Sequence, residues 1–141
     1  MKKLNKKGFT LVELLAVIVV LAIIMIIAVP AVIQSMDTAK KNSLVIEARK
    51  AINVAMQKVQ TDTLTGTQLK TCYTLSDLKI DGGGKYYGKV VIDGTDYKVS
   101  IWDGSYAISG KKSDELNAET EGEGAGMTAA TTKPSGVDTC A

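Results

Sequence analysis

The hydropathy pattern changes character twice along the chain. From Leu14 to Ile33 twenty consecutive residues carry no charged or polar side chain, and most are Leu, Ile, Val or Ala. At 1.5 Å per residue a helix of that length spans ~30 Å, the thickness of a bilayer's hydrocarbon core. A soluble amphipathic helix would return a polar face every 3.6 residues, and this run has none. Past it the helical pattern becomes one-sided. Val45, Ala48, Ile52, Ala55 and Val59 recur at 3-4-3-4 spacing, Met56 widens the stripe, and Glu47, Lys50, Gln57 and Lys58 fall off it, with Arg49 at its edge. No proline or glycine interrupts residues 31–64, so the pattern predicts one helix from Phe9 to about Gln60, ~75–80 Å long.

The second half alternates with period two. Lys89–Asp93, Asp96–Trp102 and Ser105–Ser109 are separated by Asp93-Gly94 and Asp103-Gly104, and Asp-Gly between such runs is a strong hairpin signal. The prediction is a three-stranded antiparallel meander with Val90, Ile92, Tyr97, Val99, Ile101, Tyr106 and Ile108 as its buried or partly buried positions. Residues 61–87 read as a connector. Its Asp81-Gly82-Gly83-Gly84-Lys85-Tyr86-Tyr87 stretch lacks the Ser or Thr after lysine that a phosphate loop needs, and reads as a surface turn. Residues 113–127 are acidic and glycine-rich, and Met127–Ser135 is rich in Thr and Ala; both read as solvated loop. The acids there could ligate calcium, but the EF-hand pattern is absent, and no metal or cofactor is assigned. The fold class expected from these patterns is α+β.

Composition narrows the chemistry. The 141 residues hold 17 Lys+Arg against 15 Asp+Glu, a net +2 that points to no polyanionic partner and no nucleic acid. The balance is uneven. Lys2, Lys3, Lys6 and Lys7 stand in the first seven residues without an acid, and the remaining 13 basic residues face all 15 acids. This lysine bias before the apolar run puts the N-terminus in the cytoplasm and the bulk of the chain outside. Histidine is absent, which removes Ser-His-Asp and Cys-His pairs, histidine-ligated zinc and histidine general bases. No convergent acid pair or nucleophile motif replaces them, so no enzyme is expected. The two cysteines, Cys72 and Cys140, fall on the exported side, where oxidation is the rule. A bond between them would close a loop of about 69 residues and stabilise by ~4 kcal/mol in the chain-entropy model. Two unpaired thiols are the alternative.

Three readings compete for the apolar segment. A secretory signal has a 7–15-residue apolar stretch and an A-x-A-like site; this run is longer, and Pro30 occupies the place that would complete Ala28-Val29-x. A single-pass anchor fits the length. The third reading rests on the junction Lys6-Lys7-Gly8-Phe9-Thr10-Leu11-Val12-Glu13-Leu14-Leu15. A carboxylate at the edge of a twenty-residue apolar run costs free energy unless it is paired or reaches the interface. Glu13 lies four residues beyond Phe9, on the same helix face.

That junction resembles the processing site of the type IV prepilins and pseudopilins, over roughly residues 2–35. The resemblance implies that residues 1–8 are a basic leader, cut after Gly8 by a membrane-embedded prepilin peptidase that then N-methylates Phe9. It implies that Glu13 pairs with the N-terminal amine of an adjacent subunit during assembly. Pro30 sits where family members carry a helix-kinking proline; its ring collides with the Ile26 carbonyl, and a bend is expected. Where many members have a glycine two turns earlier, this chain has Ala22. The implied organisation is a leader (1–8), a transmembrane and assembly helix (9–33), an amphipathic helix (34–60) and a globular head (61–141). The long helix would pack on the small sheet, and the Cys72–Cys140 loop resembles the disulfide-bounded region of pilins, though it is longer than usual.

The function so implied is that of a type IV pilus subunit, a single-pass membrane protein as precursor and an extracellular filament subunit when mature. The implied partners are copies of itself, the prepilin peptidase, the assembly platform with its ATPase machinery, and minor pilins. A pseudopilin of type II secretion or DNA uptake shares the same N-terminus. A monomeric membrane-anchored extracellular binding domain is the alternative of a different class, in which Gly8-Phe9 and Glu13 would be coincidental.

Overall fold

The computed structural model describes residues 9–116 and 127–140. The chain divides into two compact units, residues 1–37 and 38–141. Helix α1 runs from Leu11 to Thr65 and contributes to both. Within the first unit every described residue from Phe9 to Met36 is exposed. This stretch is apolar all round, as the sequence requires, and Pro30 lies inside it without ending the helix.

The second unit packs the rest of α1 on an antiparallel sheet. Leu44, Val45, Ala48, Ala51, Ile52 and Ala55 are buried, with Val54, Met56 and Val59 packed at their margin. The stripe is therefore broader than Val45–Val59 at 3-4 spacing, because Leu44 and Ala51 complete the neighbouring row of the same face. Three of its members are alanines with no exposed surface. A face with so little bulk lets the helix axis approach the sheet closely. Beneath it lie Tyr73, Leu75, Leu78, Tyr86, Val90, Val99, Ile101, Ile108, Leu116 and Met127. Ile92, Tyr97 and Tyr106 are partly buried against that core.

Helix α1 extends five residues beyond the expected Gln60, and its end has an identifiable cause. Gly66 takes a left-handed φ of 68°. The Thr67 N–H then reaches the Asp62 carbonyl at 2.9 Å, and the Gly66 N–H reaches that of Thr63 at 3.4 Å. These two bonds form a Schellman closure, which satisfies carbonyls left over at the last turn.

Among the described residues the sheet has five strands, not three: β1 (Cys72–Thr74), β2 (Tyr87–Asp93), β3 (Asp96–Trp102), β4 (Tyr106–Lys111) and β5 (Met127–Ala129). Their spatial order follows the chain order, and every pairing is antiparallel. The three central strands are those the alternation predicts. β1 and β5 are three residues each, too short for a period to register, and they exist because an edge of the meander offers them unpaired backbone. β1 lies in the expected connector, and β5 opens the Thr/Ala stretch expected to be solvated loop. That expectation fails at Met127, which is buried; Val137, beyond the stretch, is buried as well. The turn at residues 81–87 is likewise not wholly superficial, since Tyr86 is buried and its hydroxyl lies 3.3 Å from Ser43 Oγ of α1.

Residues 130–140 form a strap over the sheet face opposite the helix. Trp102 pairs with Tyr87 and Ser100 with Lys89, and these positions alternate with the buried Ile101, Gly88 and Val90. The strap meets them in order. Trp102 Nε1 donates to the Ala130 carbonyl at 2.6 Å, Lys133 Nζ sits 5.0 Å from the Tyr87 ring centre, and Lys89 Nζ donates to the Thr139 carbonyl at 2.8 Å. Cys140 then joins Cys72 in a disulfide with a Cα–Cα distance of 5.7 Å. The strap thus leaves the β5 edge, crosses β3 and β2, and is tied at β1.

Gly88 is the tightest point of the core. A Cβ there would overlap the Ser100 carbonyl oxygen and lie 2.9 Å from Leu75 Cδ1. Backbone cannot yield as a flexible side chain does, so Gly88→Ala should destabilise the head by about 1–3 kcal/mol through overpacking. Denaturant unfolding of the full chain in detergent, compared with the parent, measures the loss; a variant as stable as the parent would show that steric crowding is not what selects Gly88.

Candidate functional site

The residues singled out by sequence fall in different units. Phe9, Glu13 and Pro30 belong to the first, Cys72 and Cys140 to the second. Gly8 and the residues before it, expected to form a leader, lie outside the described residues, as do Glu119, Glu121 and Glu123 of the acidic stretch. Among the described residues no three His, Cys, Asp or Glu side chains gather as metal ligands would.

At the start of α1 the side chains are organised by the helix end itself. Thr10 precedes the first helical residue. Its backbone N–H and its hydroxyl both donate to Glu13 Oε2, each at 2.9 Å, and its hydroxyl oxygen accepts the Glu13 N–H at 3.3 Å. This is a capping box, Thr-x-x-Glu, in which two donors left over at the helix start are satisfied reciprocally. Glu13 is therefore already engaged by its own chain. The spacing Thr10-Leu11-Val12-Glu13 carries this cap in the sequence itself. Phe9, next to Thr10, is almost fully exposed at 87%.

From Leu11 to Ile33 no described side chain covers the helix surface. Leu15, Ile18, Val19, Ile23 and Ile26 are all more than half exposed. A helix of this length and composition is long and apolar enough to cross a membrane. Apart from the Ile26 carbonyl, which Pro30 leaves without its helical donor, its backbone hydrogen bonds are satisfied internally, so the side-chain surface is what asks for an apolar environment.

The last turns of α1 hold a second cluster that sequence reading missed. Asp62 is 4% exposed and lies on the buried face of the helix. Lys58, one turn earlier, forms an ion pair with its Oδ1, and the Tyr73 hydroxyl of β1 donates to its Oδ2 at 3.0 Å. The Lys58 hydrogen bond, opposed by burial and helped by Tyr73, holds the Asp62 carboxyl below the usual range. Burial, with the bond to Asp62, pushes the Tyr73 phenol up. Chemically this is a strut joining helix to edge strand. The stripe's spacing carried three residues past Val59 lands on Asp62, with Lys58 one turn before it, so the position is signalled and only the polar residue type hides it.

Residues 3–29 match the family model of the prokaryotic N-terminal methylation motif, which is the class III signal of type IV prepilins. The match includes Lys3, Lys6, Lys7, Gly8, Phe9 and Glu13 and ends one residue before Pro30. No curated protein and no solved structure matches the chain.

The Asp62 strut makes the head sensitive to acid. Because the folded carboxyl titrates below its unfolded value, the strut's contribution is complete above the unfolded range near ~4 and is lost as pH falls through the folded value. Asp62→Asn should lower Tm at neutral pH and flatten the fall of Tm between neutral and strongly acid solution. Thermal unfolding of both proteins across that range is the check, and parallel curves would remove Asp62 from the acid response.

Proposed function

We propose that the chain is a structural subunit of the type IV pilin kind. It is inserted in the membrane as a prepilin, cut between Gly8 and Phe9, N-methylated at Phe9, and polymerised through its N-terminal helix into an extracellular filament. One observation carries this reading: the methylation motif over residues 3–29 leads into a helix whose surface from Phe9 to Met36 is bare. A plain anchor accounts for the second half of that statement and not for the first.

The physical logic of assembly follows from the bare helix. Lipid tails and neighbouring apolar helices offer similar surroundings, so a segment stable in the bilayer loses little hydrophobic stabilisation on moving into a helix bundle. A charge makes that move selective. Cleavage at Gly8 would leave an ammonium on Phe9, beside the capping box, and bundling would bury Glu13 unless a cation meets it. In this reading the incoming subunit's amine supplies that cation. Pro30 would let the helix bend where Ile26 has lost its backbone partner. The partners of this reading are further copies of the chain, a prepilin peptidase, and the machinery that extracts the subunit from the membrane.

The first experiment is the intact mass of the protein recovered from sheared cell surfaces, with and without reductant. A chain that begins at N-methylated Phe9 and gains about two daltons on reduction, one hydrogen on each cysteine, is the expected result; a chain beginning at Met1 and confined to the membrane fraction would make it an anchored domain. Glu13→Ala should still insert and still be cut, yet enter filaments poorly. Undiminished filament yield from that variant would refute the role given to Glu13.

A further inference from the structure

Three Asp-Gly steps stand in the head: Asp81-Gly82, Asp93-Gly94 and Asp103-Gly104. Glycine sets no side chain beside its own amide nitrogen, so that nitrogen can reach the carboxyl carbon of the aspartate before it. The ring closes only where the carboxyl is free to swing back onto the following N–H. The fold treats the three carboxyls differently.

Asp103 is held at the turn between β3 and β4. Its Oδ1 accepts the N–H groups of Ser105 at 2.8 Å and Tyr106 at 2.7 Å, which fixes the carboxylate across the turn. Asp81 is engaged through both oxygens. Oδ1 accepts the Gly83 N–H at 3.3 Å, Oδ2 accepts from Ser76 Oγ at 3.2 Å, and the Asp81 carbonyl accepts the Tyr86 N–H at 2.9 Å. Both residues are half-buried, whereas Asp93 is exposed. The Asp93 carboxylate meets Lys98 Nζ at 2.8 Å, and an exposed pair of that kind is worth little and opens freely. Gly94 follows as the first of the two residues joining β2 to β3, at a φ of 63°. A Cβ built on it would meet nothing within 4 Å, so the tip is open on the side from which the carboxyl must swing.

We propose that Asp93-Gly94 is a site of spontaneous backbone isomerisation in the folded head, and that the fold protects the other two steps from the same reaction. The Gly94 nitrogen bonds to Asp93 Cγ, its proton and a carboxyl hydroxyl leave as water, and a cyclic imide forms. Water then adds to one imide carbonyl. Opening at Cγ restores aspartate, and opening at the main-chain carbonyl leaves the chain running through Cβ and Cγ. Composition is unchanged, and no reactant besides water takes part. The β-linked product lengthens the main chain by one atom at a turn whose two residues close the Asp93–Asp96 pair. The hairpin tip loosens as a result, and the site records the age of each head without an enzyme. The inference stands on the head alone and does not depend on filament assembly.

The test incubates the full chain in detergent at neutral pH, beside a sample denatured in guanidinium chloride and followed until all three steps have converted measurably. Cleavage after lysine puts each step on its own peptide, and electron-transfer fragmentation tells the β-linked form from aspartate. In the folded chain Asp93-Gly94 is expected to convert at least about tenfold faster than either other step, because those must first give up hydrogen bonds to a charged carboxylate. In the denatured chain the three rates are expected to converge. Equal rates in the folded chain, or conversion at Asp81 or Asp103 ahead of Asp93, would overturn the inference. So would an Asp93-Gly94 step that reacts only in the denatured sample. The same ranking in both samples would assign the selectivity to local sequence and overturn the protective role of the fold.

Discussion

Everything in this molecule turns on the bare apolar surface of α1 from Phe9 to Met36. No other part of the described chain covers it, and its side chains are too apolar to rest in water. One helix is thus written for two surroundings. Its first part is apolar on all sides and needs an environment supplied from outside the chain. Its second part is apolar on one face and finds its environment in the chain's own sheet. The change of pattern occurs near Asp37, where the two compact units divide.

The head solves the second problem with modest means. Its helix contributes alanines at 48, 51 and 55, so bulk comes mainly from the sheet side: Leu75, Val90, Val99, Ile101 and Ile108 are each at most 1% exposed. A sheet packed on one face still leaves the other open, and on a small domain that open face is hard to stabilise. The strap covers it. Because β5 lies at one edge and β1 at the other, a segment from Ala130 to Cys140 must cross the sheet to reach Cys72, and the disulfide fixes that crossing. The long loop closed by the bond, large for a tie between two cysteines, is what allows it to span every strand.

Long periodic features were legible in the sequence, and short reciprocal ones were not. Twenty apolar residues, the Val45–Val59 stripe and the three alternating runs each repeat a signal often enough to be read. β1 and β5 repeat nothing, since three residues give a single alternation, and their identity depends on the neighbours they meet. Asp62 illustrates the same limit at the level of one side chain. It occupies the next position of the stripe after Val59, but its charge argues for solvent; it is buried because Lys58 and Tyr73 converge on it, one from its own helix and one from β1. Residues 130–140 look like low-complexity tail until the disulfide gives them a destination. The capping box is a different case, since Thr10 and Glu13 stand in the chain at the required spacing, and a local rule was enough to find them.

The capping box also bears on how Glu13 could serve assembly under the proposed function. Its Oε2 accepts both Thr10 donors, so the carboxylate is held by its own helix start before any partner arrives. A carboxylate that is already oriented loses less rotamer freedom when it meets a cation than a swinging one would. Accepting two bonds leaves lone-pair capacity on the second oxygen, which is where an ammonium could add without displacing Thr10. On this argument the cap and the proposed intersubunit pair are cooperative uses of one side chain. The cap would fix where the acid points, and the amine of a neighbouring Phe9 would neutralise it as the apolar helices close around both.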